Sequence, residues 1–574
     1  MLNGDNRLLK RAENAKNRTE IAGLKEEAMS VVTGRQIDRT AGIPHTASLE
    51  ADLKKELKNV EVVPANGLSD VCYVTQGNLE ITVYDDGEIQ EGKTEIWDGQ
   101  KISSPEFKEE NGVWNWYIYT PSQLKFLANF VNASDGDGTK LPDSLKDYVK
   151  AEYQSVTMTP QTTIHLMNNL DLGARQTNGT KTAGTEWISI GEDNTKVKDK
   201  LGTFEGNNHI IRGIYINNDK SFQGLFGNSN AIKNLTIKDS YIKGGLLVGG
   251  IVARIRQGEI NNCHNVNTTI ESIRDVLCYT GGIVGQMSAS TGIYNCTNSG
   301  EIKGNGSNLG GITGSTLSGV TIGNCTNKGN IEGGTKSCYG GITGLANASG
   351  CIIGCTNKGD VTGCNSVGGI AGENAGSIEN CVNEGNINTD TYQAGGIAGV
   401  SGAEKINTKI TNCINKGRIT GKSMNIGGIV GWSLNLELSK CCNSGVIMGA
   451  LENVGGICGI INLSTFEQCY NEGNVTGKTM VGGIVGRLNC TSSNDSCTVT
   501  KCYNKGKIMG TLGNSEIIGY MDEGKHTLNN LYYLKKDTNI KKAIGNQDDN
   551  TELKIMEVNE DLNYERFKIW IEEQ

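Results

Sequence analysis

Over the last two thirds of the chain the apolar residues recur in short bursts, with no stretch at helical spacing between them. Nine copies of a Gly-Gly-Ile-x-Gly-like segment begin at Gly249, Gly281, Gly310, Gly340, Gly368, Gly395, Gly427, Gly455 and Gly482. The intervals are 32, 29, 30, 28, 27, 32, 28 and 27 residues. A Cys-x-Asn landmark follows each copy, at Cys263, Cys296, Cys325, Cys355, Cys381, Cys413, Cys441, Cys469 and Cys502. In eight copies a glycine comes four residues after the cysteine and Ile or Val two further on, from Gly300 and Ile302 to Gly506 and Ile508. Self-similarity at this period marks a stacked architecture, and the leucine-rich, ankyrin and tetratricopeptide patterns do not fit. One period has room for a glycine-flanked Ile-Val strand, a strand ending at the cysteine and a third short strand, which together make a triangular coil.

The pattern therefore predicts a mainly β protein whose body is a parallel β-helix of about 10–12 coils, a rod of roughly 50–60 Å at ~4.8 Å per strand. Stacking places Asn265, Asn298, Asn327, Asn357, Asn383, Asn415, Asn443, Asn471 and Asn504 in one ladder, each amide bonding the next, at a corner where asparagine tolerates left-handed backbone. The same register begins earlier in degenerate form. Trp187 to Gly191, Thr203 to Ile216 and Gly224-Leu225-Phe226-Gly227 read as opening coils. Thr120 to Asn132, with Leu124, Leu127, Ala128 and Val131 at helical spacing, reads as a helix capping the first coil. Residues 552 to 572 read as the opposite cap, anchored by Leu562, Phe567 and Trp570.

Ahead of the solenoid, Leu8, Leu9, Ala12, Ala15, Ile21, Ala22, Leu24, Ala28 and Val31 form one face of a helix that Gly34 is expected to end. A second helix is predicted from Leu49 to Val60, then alternating strands at Val71 to Val74 and Leu79 to Tyr84 and a turn at Asp86-Gly87. The expected divisions are a small α+β unit over 1–95, a linker and N-terminal cap over 96–160, the β-helix over 161–535 and a C-terminal cap over 536–574.

Composition sharpens this picture. All six prolines precede residue 161, as a long parallel ladder requires, because proline removes a strand donor. A net charge of −9 without a basic block disfavours nucleic acid. No apolar run is long enough to span a membrane, and Asn3, Gly4 and Asp5 do not open a signal peptide. Of 18 cysteines, nine share one periodic slot and read as a buried thiol ladder. Cys278, Cys338, Cys351, Cys364, Cys458, Cys490 and Cys497 are the better candidates for disulfides.

The residues also carry family resemblances. Gly224-Leu225-Phe226-Gly227 matches the motif named GLUG, and the Gly-Gly-Ile-Val-Gly and Asn-Cys-x-Asn-x-Gly copies resemble GLUG-type repeats of bacterial surface and secreted proteins, over about residues 160 to 535. That resemblance implies an adhesin-like protein, or a module beside the catalytic part of secreted immunoglobulin A peptidases. Leu2 to Lys16 resembles the stretch after the hydrophobic helix of clostridial type IV pilin-like proteins, and the hydrophobic helix itself is not in this sequence. It implies assembly with other pilin-like subunits and a location at the bacterial surface.

Little chemistry is written into the repeats. Neither Cys351 with Cys355 nor Cys497 with Cys502 has a matching second pair, so no metal site and no cofactor are read. There is no His-Glu-x-x-His, and the Gly-Gly segments lack the aspartates of the calcium-binding nonapeptide. Between residues 224 and 510 the only aspartates are Asp239, Asp275, Asp360, Asp390 and Asp495, of which Asp360 and Asp390 could meet in adjacent coils. His209 and His264 read as ladder or turn residues. The sequence thus points to a non-enzymatic extracellular, cell-surface or pilus-associated display protein. Its loops, such as Ser401 to Thr408 and Cys490 to Val499, would bind a glycan or protein of a host or neighbouring cell. The other reading is an accessory or degenerate module of a secreted polysaccharide-acting enzyme or peptidase, and no individual catalytic or binding residue is assigned.

Overall fold

The computed structural model describes residues 2–573 apart from 44–46, 134–138, 193–200, 403–405, 491–495, 535–541, 548–554 and 560, and no side chains before residue 13 or after 571. Helix α1 (Leu2–Thr40) runs through Gly34 instead of stopping there. A mid-helix glycine costs about 1 kcal/mol. Against that cost, Arg35 on the next position is buried, its Nε donating to Asp85 at 2.8 Å and its Nη1 to Asp52. Helix α2 (Leu49–Glu56) starts on the Ser48 hydroxyl, which accepts the Ala51 N–H at 3.1 Å, and it ends at Leu57, short of Val60. Strands β1 (Glu61–Pro64), β2 (Val71–Gln76), β3 (Leu79–Tyr84) and β4 (Ile89–Glu91) form an antiparallel sheet in sequence order. Leu24, Ala28 and Val32 of α1 pack on it with Leu53, Val74 and Ile81.

The solenoid opens on an antiparallel hairpin, Glu106–Glu110 against Val113–Ile118, whose second strand pairs in parallel with Thr163–Leu166. The outermost strand reads Glu-Phe-Lys-Glu-Glu and buries only its phenylalanine, so charge guards the open edge. Helix α3 (Pro121–Asn132) begins with a capping box between Thr120 and Gln123 and buries Leu124, Phe126, Leu127, Phe130 and Val131 in the core of the opening coils. The N-terminal capping helix is thus where its periodicity places it.

Three of the sheets that follow hold eleven parallel strands each, so the rod is about 50 Å long at ~4.8 Å per step. Each coil carries five short strand segments, where three are predicted. The coil around Cys325 consists of Thr321–Gly323, Thr326–Asn327, Ile331–Gly333, Ser337–Gly340 and Thr343–Ala346. Two corners account for the extra segments. The residue before the ladder cysteine takes left-handed backbone, as at Asn295 (φ 55°), Asn324 (φ 52°) and Asn412 (φ 53°), and interrupts the strand. The left-handed backbone expected of the ladder asparagines falls instead on these and other corner residues, and the ladder asparagines sit in extended segments such as Thr297–Asn298. The Gly-Gly pair folds the chain tightly against the next coil, where a Cβ on Gly341 would stand 2.2 Å from Asn357 Cγ.

Inside the rod, Ile283, Ile312, Ile342, Ile370, Ile397, Ile429, Ile457 and Ile484 stack without solvent exposure. The asparagine ladder is continuous. From Asn265 to Asn504 each Nδ2 donates to the next Oδ1 at 2.8–2.9 Å. Within its own coil Asn327 also donates to Gly329 O and accepts the Gly329 N–H, so a fully buried amide has its capacity met. After Asn504 the register position belongs to Tyr533, and the amide donates instead to Glu516. Glu516 stands where earlier coils carry the second glycine of the pair. The nine ladder cysteines are buried free thiols that hydrogen-bond to carbonyls, as Cys325 does to Gly323 O at 3.3 Å, and burial raises the thiols of Cys296, Cys413 and Cys469 well above the ordinary value. Of the off-ladder candidates, Cys490 and Cys497 form a disulfide.

The C-terminal helix α4 (Tyr564–Glu573) does not cover the end of the rod. It lies along the flank of the last four coils, where the outward ladder Cys442, Tyr470, Tyr503 and Tyr532 has become apolar and packs against Leu562, Phe567 and Trp570. The Tyr564 hydroxyl reaches back to Lys440 O. The same outward ladder carries Thr297, Thr326 and Thr356 nearer the N-terminus, which offer a helix nothing apolar. The end of the rod is closed by Ile555–Val558, paired on Leu531–Leu534, and by the Ile518–Ile544 bridge.

Replacing Asn383 by Ala should lower stability by about 2–3 kcal/mol in urea denaturation, because it strands partners on both sides, whereas Asn265→Ala at the ladder's start should cost less. Native-state alkylation read by peptide mass spectrometry should label the half-buried Cys351 and Cys364 first and the ladder cysteines only after denaturation.

Candidate functional site

Asp360 and Asp390, the aspartates that adjacent coils could have united, do not converge. The Asp360 carboxylate accepts the Asn386 N–H at 2.8 Å and its Nδ2 at 3.1 Å, while Asp390 pairs with Lys422 at 2.7 Å. In register Asp360 lies beside Asn386, so Asp390 is four residues further along, about 13 Å. That offset exceeds the carboxyl separations used in glycoside hydrolysis. Asp239 accepts Asn267 Nδ2 at 2.7 Å, Asp275 is exposed on a loop, and Asp495 lies outside the described residues. His264 is a ladder residue, its Nδ1 2.8 Å from Thr297 Oγ1 and its Nε2 3.2 Å from Asn262 Oδ1. Burial holds it below the ordinary histidine value, so the ring is neutral at pH 7.

His209 sits elsewhere, at a cleft of about 570 Å³ where the N-terminal sheet meets the first coils. Gln90, Lys93, Glu95, Tyr119, Asn169 and His209 line it. Its two carboxylates are engaged, Glu91 with Lys25 at 2.6 Å and Glu95 with Lys101 at 3.0 Å. His209 Nδ1 is 3.1 Å from Asn169 Oδ1, and Asn169 Nδ2 donates to Glu88 at 2.7 Å.

Behind the cleft lies a charge network that sequence reasoning did not foresee. Arg212 is nearly buried between Glu88 and Asp86 (3.0 Å to the latter), and its guanidinium lies 4.1 Å over the Tyr84 ring. Lys238 reaches Asp86, and Arg175 bridges Asp70 at 2.7 Å and the fully buried Asp171 at 2.9 Å. The partners in this network are separated by as many as 152 residues in sequence, and only the fold brings them together. These contacts fasten the N-terminal sheet to the flank of the opening coils. Burial alone would raise the Asp86 carboxyl, but Arg212, Lys238 and a bond from the Glu88 backbone hold it below its ordinary value.

The loops expected to carry specificity are partly described. In the first, residues 403–405 lie outside the described residues, and Ser401 and Thr408 at its ends are buried. In the second, residues 491–495 lie outside them. A third loop, between Thr269–Ser272 and Tyr279–Gly281, is apolar and exposed: Ile273, Val276 and Leu277 are half exposed (50%, 53% and 51%). The corresponding corner of the next coil reads Asn305-Gly306-Ser307-Asn308. The signal for this loop was in the sequence, as three aliphatic residues within the five from Ile273 to Leu277.

With this geometry in view, the model of the GLUG motif matches residues 363–388, which is one full turn of the solenoid from Gly363 through the ladder residues Cys381 and Asn383 to Asn388. No curated protein matches the chain. A crystal structure from Bacteroides ovatus, described as a putative immunoglobulin A1 protease, is similar at 19% identity and a TM-score of 0.32, covering 52% of this chain and 77% of that one. Among the described residues no helix is long and apolar enough to cross a membrane.

Because the Asp86 carboxyl is depressed, its contribution to docking is complete above about pH 4 and is lost as the pH falls through its folded value. Acidification should therefore raise hydrogen exchange in β2 and β3 before the distal coils open, and Asp86→Asn should remove that acid step.

Proposed function

We propose that this chain is a non-enzymatic, extracellular display protein of adhesin-like type. A rigid β-helical rod holds binding loops away from its base, and the partner is a protein on a host or neighbouring cell surface. The observation that carries this reading is the loop of Ile273, Val276 and Leu277, three aliphatic side chains half exposed to water within one five-residue corner of the rod. An aliphatic patch suits an apolar protein surface better than a glycan. The separation of Asp360 from Asp390 supports display over hydrolysis. A pilin-like role for residues 1–95, with assembly through α1, draws on the resemblance of its first residues and on the layout of one long helix against an antiparallel sheet, with residues 13–20 of the helix almost wholly exposed.

The test is binding of the purified chain to intact cells and to a glycan array, with reducing-sugar release assayed on each glycan that binds. Cell binding should fall at least about tenfold, or ~1.4 kcal/mol, when Ile273, Val276 and Leu277 are all replaced by Ser, with an unchanged denaturation midpoint. Release of sugar or cleavage of a bound protein would overturn the reading.

A further inference from the structure

The C-terminal coils bring together three groups that are remote in sequence. Cys490 Sγ, Cys497 Sγ and a ring nitrogen of His526 lie within 4.8 Å of one another. Cys497 and His526 are register partners in adjacent coils, on Ser496–Thr500 and Lys525–Asn529, so one period of the solenoid separates them. A search for short Cys and His spacings passes over such a pair.

The histidine is oriented as a ligand. Its Nε2 lies 2.9 Å from the carbonyl oxygen of Asp522, which can only accept, so Nε2 carries the proton and Nδ1 carries the lone pair. Nδ1 is shielded from solvent and has no hydrogen-bond partner among the described residues. A metal-binding histidine characteristically donates its other ring N–H to a carbonyl or carboxylate, which fixes ring and tautomer. The carbonyl is fixed in turn, because the Asp522 side chain is held by Arg487 through two bonds of 2.9 and 3.0 Å. The cysteine Cα atoms are 6.6 Å apart, with the sulfurs joined as a disulfide.

The geometry points to a redox-gated zinc site. In its reduced form Cys490, Cys497 and His526 bind one Zn²⁺ through two thiolates and Nδ1, and disulfide formation excludes the metal. Two thiolates and an imidazole suit zinc, and a three-residue set leaves one tetrahedral position for water. A phosphine reductant opens the site by taking an oxygen from water: disulfide, phosphine and water yield two thiols and the phosphine oxide. Zinc then displaces the two thiol protons. Oxidation of the pair back to the disulfide, with two electrons passing to an oxidant such as a disulfide of low molecular weight, releases the ion. The ladder thiols do not compete, since Cys469 and Cys502 are buried and bond to carbonyls of their own coils.

The experiment is zinc titration of the full chain by calorimetry, before and after treatment with the phosphine, with Co²⁺ as a spectroscopic probe. The reduced chain should bind one equivalent of Zn²⁺ and the oxidised chain none. Bound Co²⁺ should show thiolate-to-metal charge transfer and tetrahedral d–d bands. His526→Ala keeps both cysteines, so it should still form the disulfide. It should nevertheless lose zinc affinity by at least about 100-fold, the upper end of what even an outer-shell change produces. Equal zinc binding by the oxidised chain, or by the reduced Cys490→Ser/Cys497→Ser variant, would overturn the proposal. Circular dichroism follows the β-helix throughout. If reduction melts the last coils, zinc should restore them, and failure to restore them would overturn the proposal as well.

Discussion

A side-chain amide has two donor hydrogens and an acceptor oxygen, and the interior of this rod is built so that one asparagine per coil uses them on its neighbours. The constraint is severe, because a buried amide is tolerable only when satisfied, and satisfaction here requires the next coil to hold the same residue at the same height. Apolar stacking of isoleucine on isoleucine supplies more of the burial, but it would accept a slipped register with little penalty. The amide chain would not. It also dictates the glycine pair, since Gly341 has to leave room for Asn357, and it bears on the glycine four residues past eight of the nine cysteines, since a Cβ on Gly385 would stand 3.0 Å from Asn357 Nδ2 as well as 2.0 Å from Gly359 O.

The attachment of the N-terminal sheet obeys a different physics. Arg175 and Arg212 lose their water in a junction that offers Asp70, Asp86, Glu88 and Asp171 in return, and breaking such a pair by removing one partner is expensive even where forming it gains little. Such a junction specifies geometry more than it adds stability. It explains how a small α+β unit keeps one orientation against a rod whose own surface is repetitive.

The solenoid was legible because its period is written in residues with strict local demands: glycine for close approach, asparagine for the ladder, a small buried thiol. Helix α3 was legible for the same reason, since Thr120, Gln123 and its apolar face belong to one local segment. Features that depend on which surface an element meets were not. Leu562, Phe567 and Trp570 mark an amphipathic helix, but that it lies on a tyrosine-lined flank follows from Tyr470, Tyr503 and Tyr532 stacking, which is apparent only once the register is known. Gly34 reads as a stop until Arg35 is seen to meet Asp52 and Asp85. His526 reads as isolated until the coil period is subtracted from its distance to Cys497.

The asparagine chain also has a direction. Every Nδ2 from Asn265 to Asn504 points toward the C-terminal coils, so the side-chain dipoles add along the axis as peptide dipoles add in a helix. The partially positive end falls at Asn504, where a carboxylate, Glu516, receives it in the space a further asparagine would occupy. The partially negative end, the Asn265 oxygen, faces Ile237 of the preceding coil. A coil duplicated within the array continues the chain of amides unbroken, whereas one appended after Asn504 would first have to evict a buried anion. The array is open to growth by internal duplication and terminated electrically at one end.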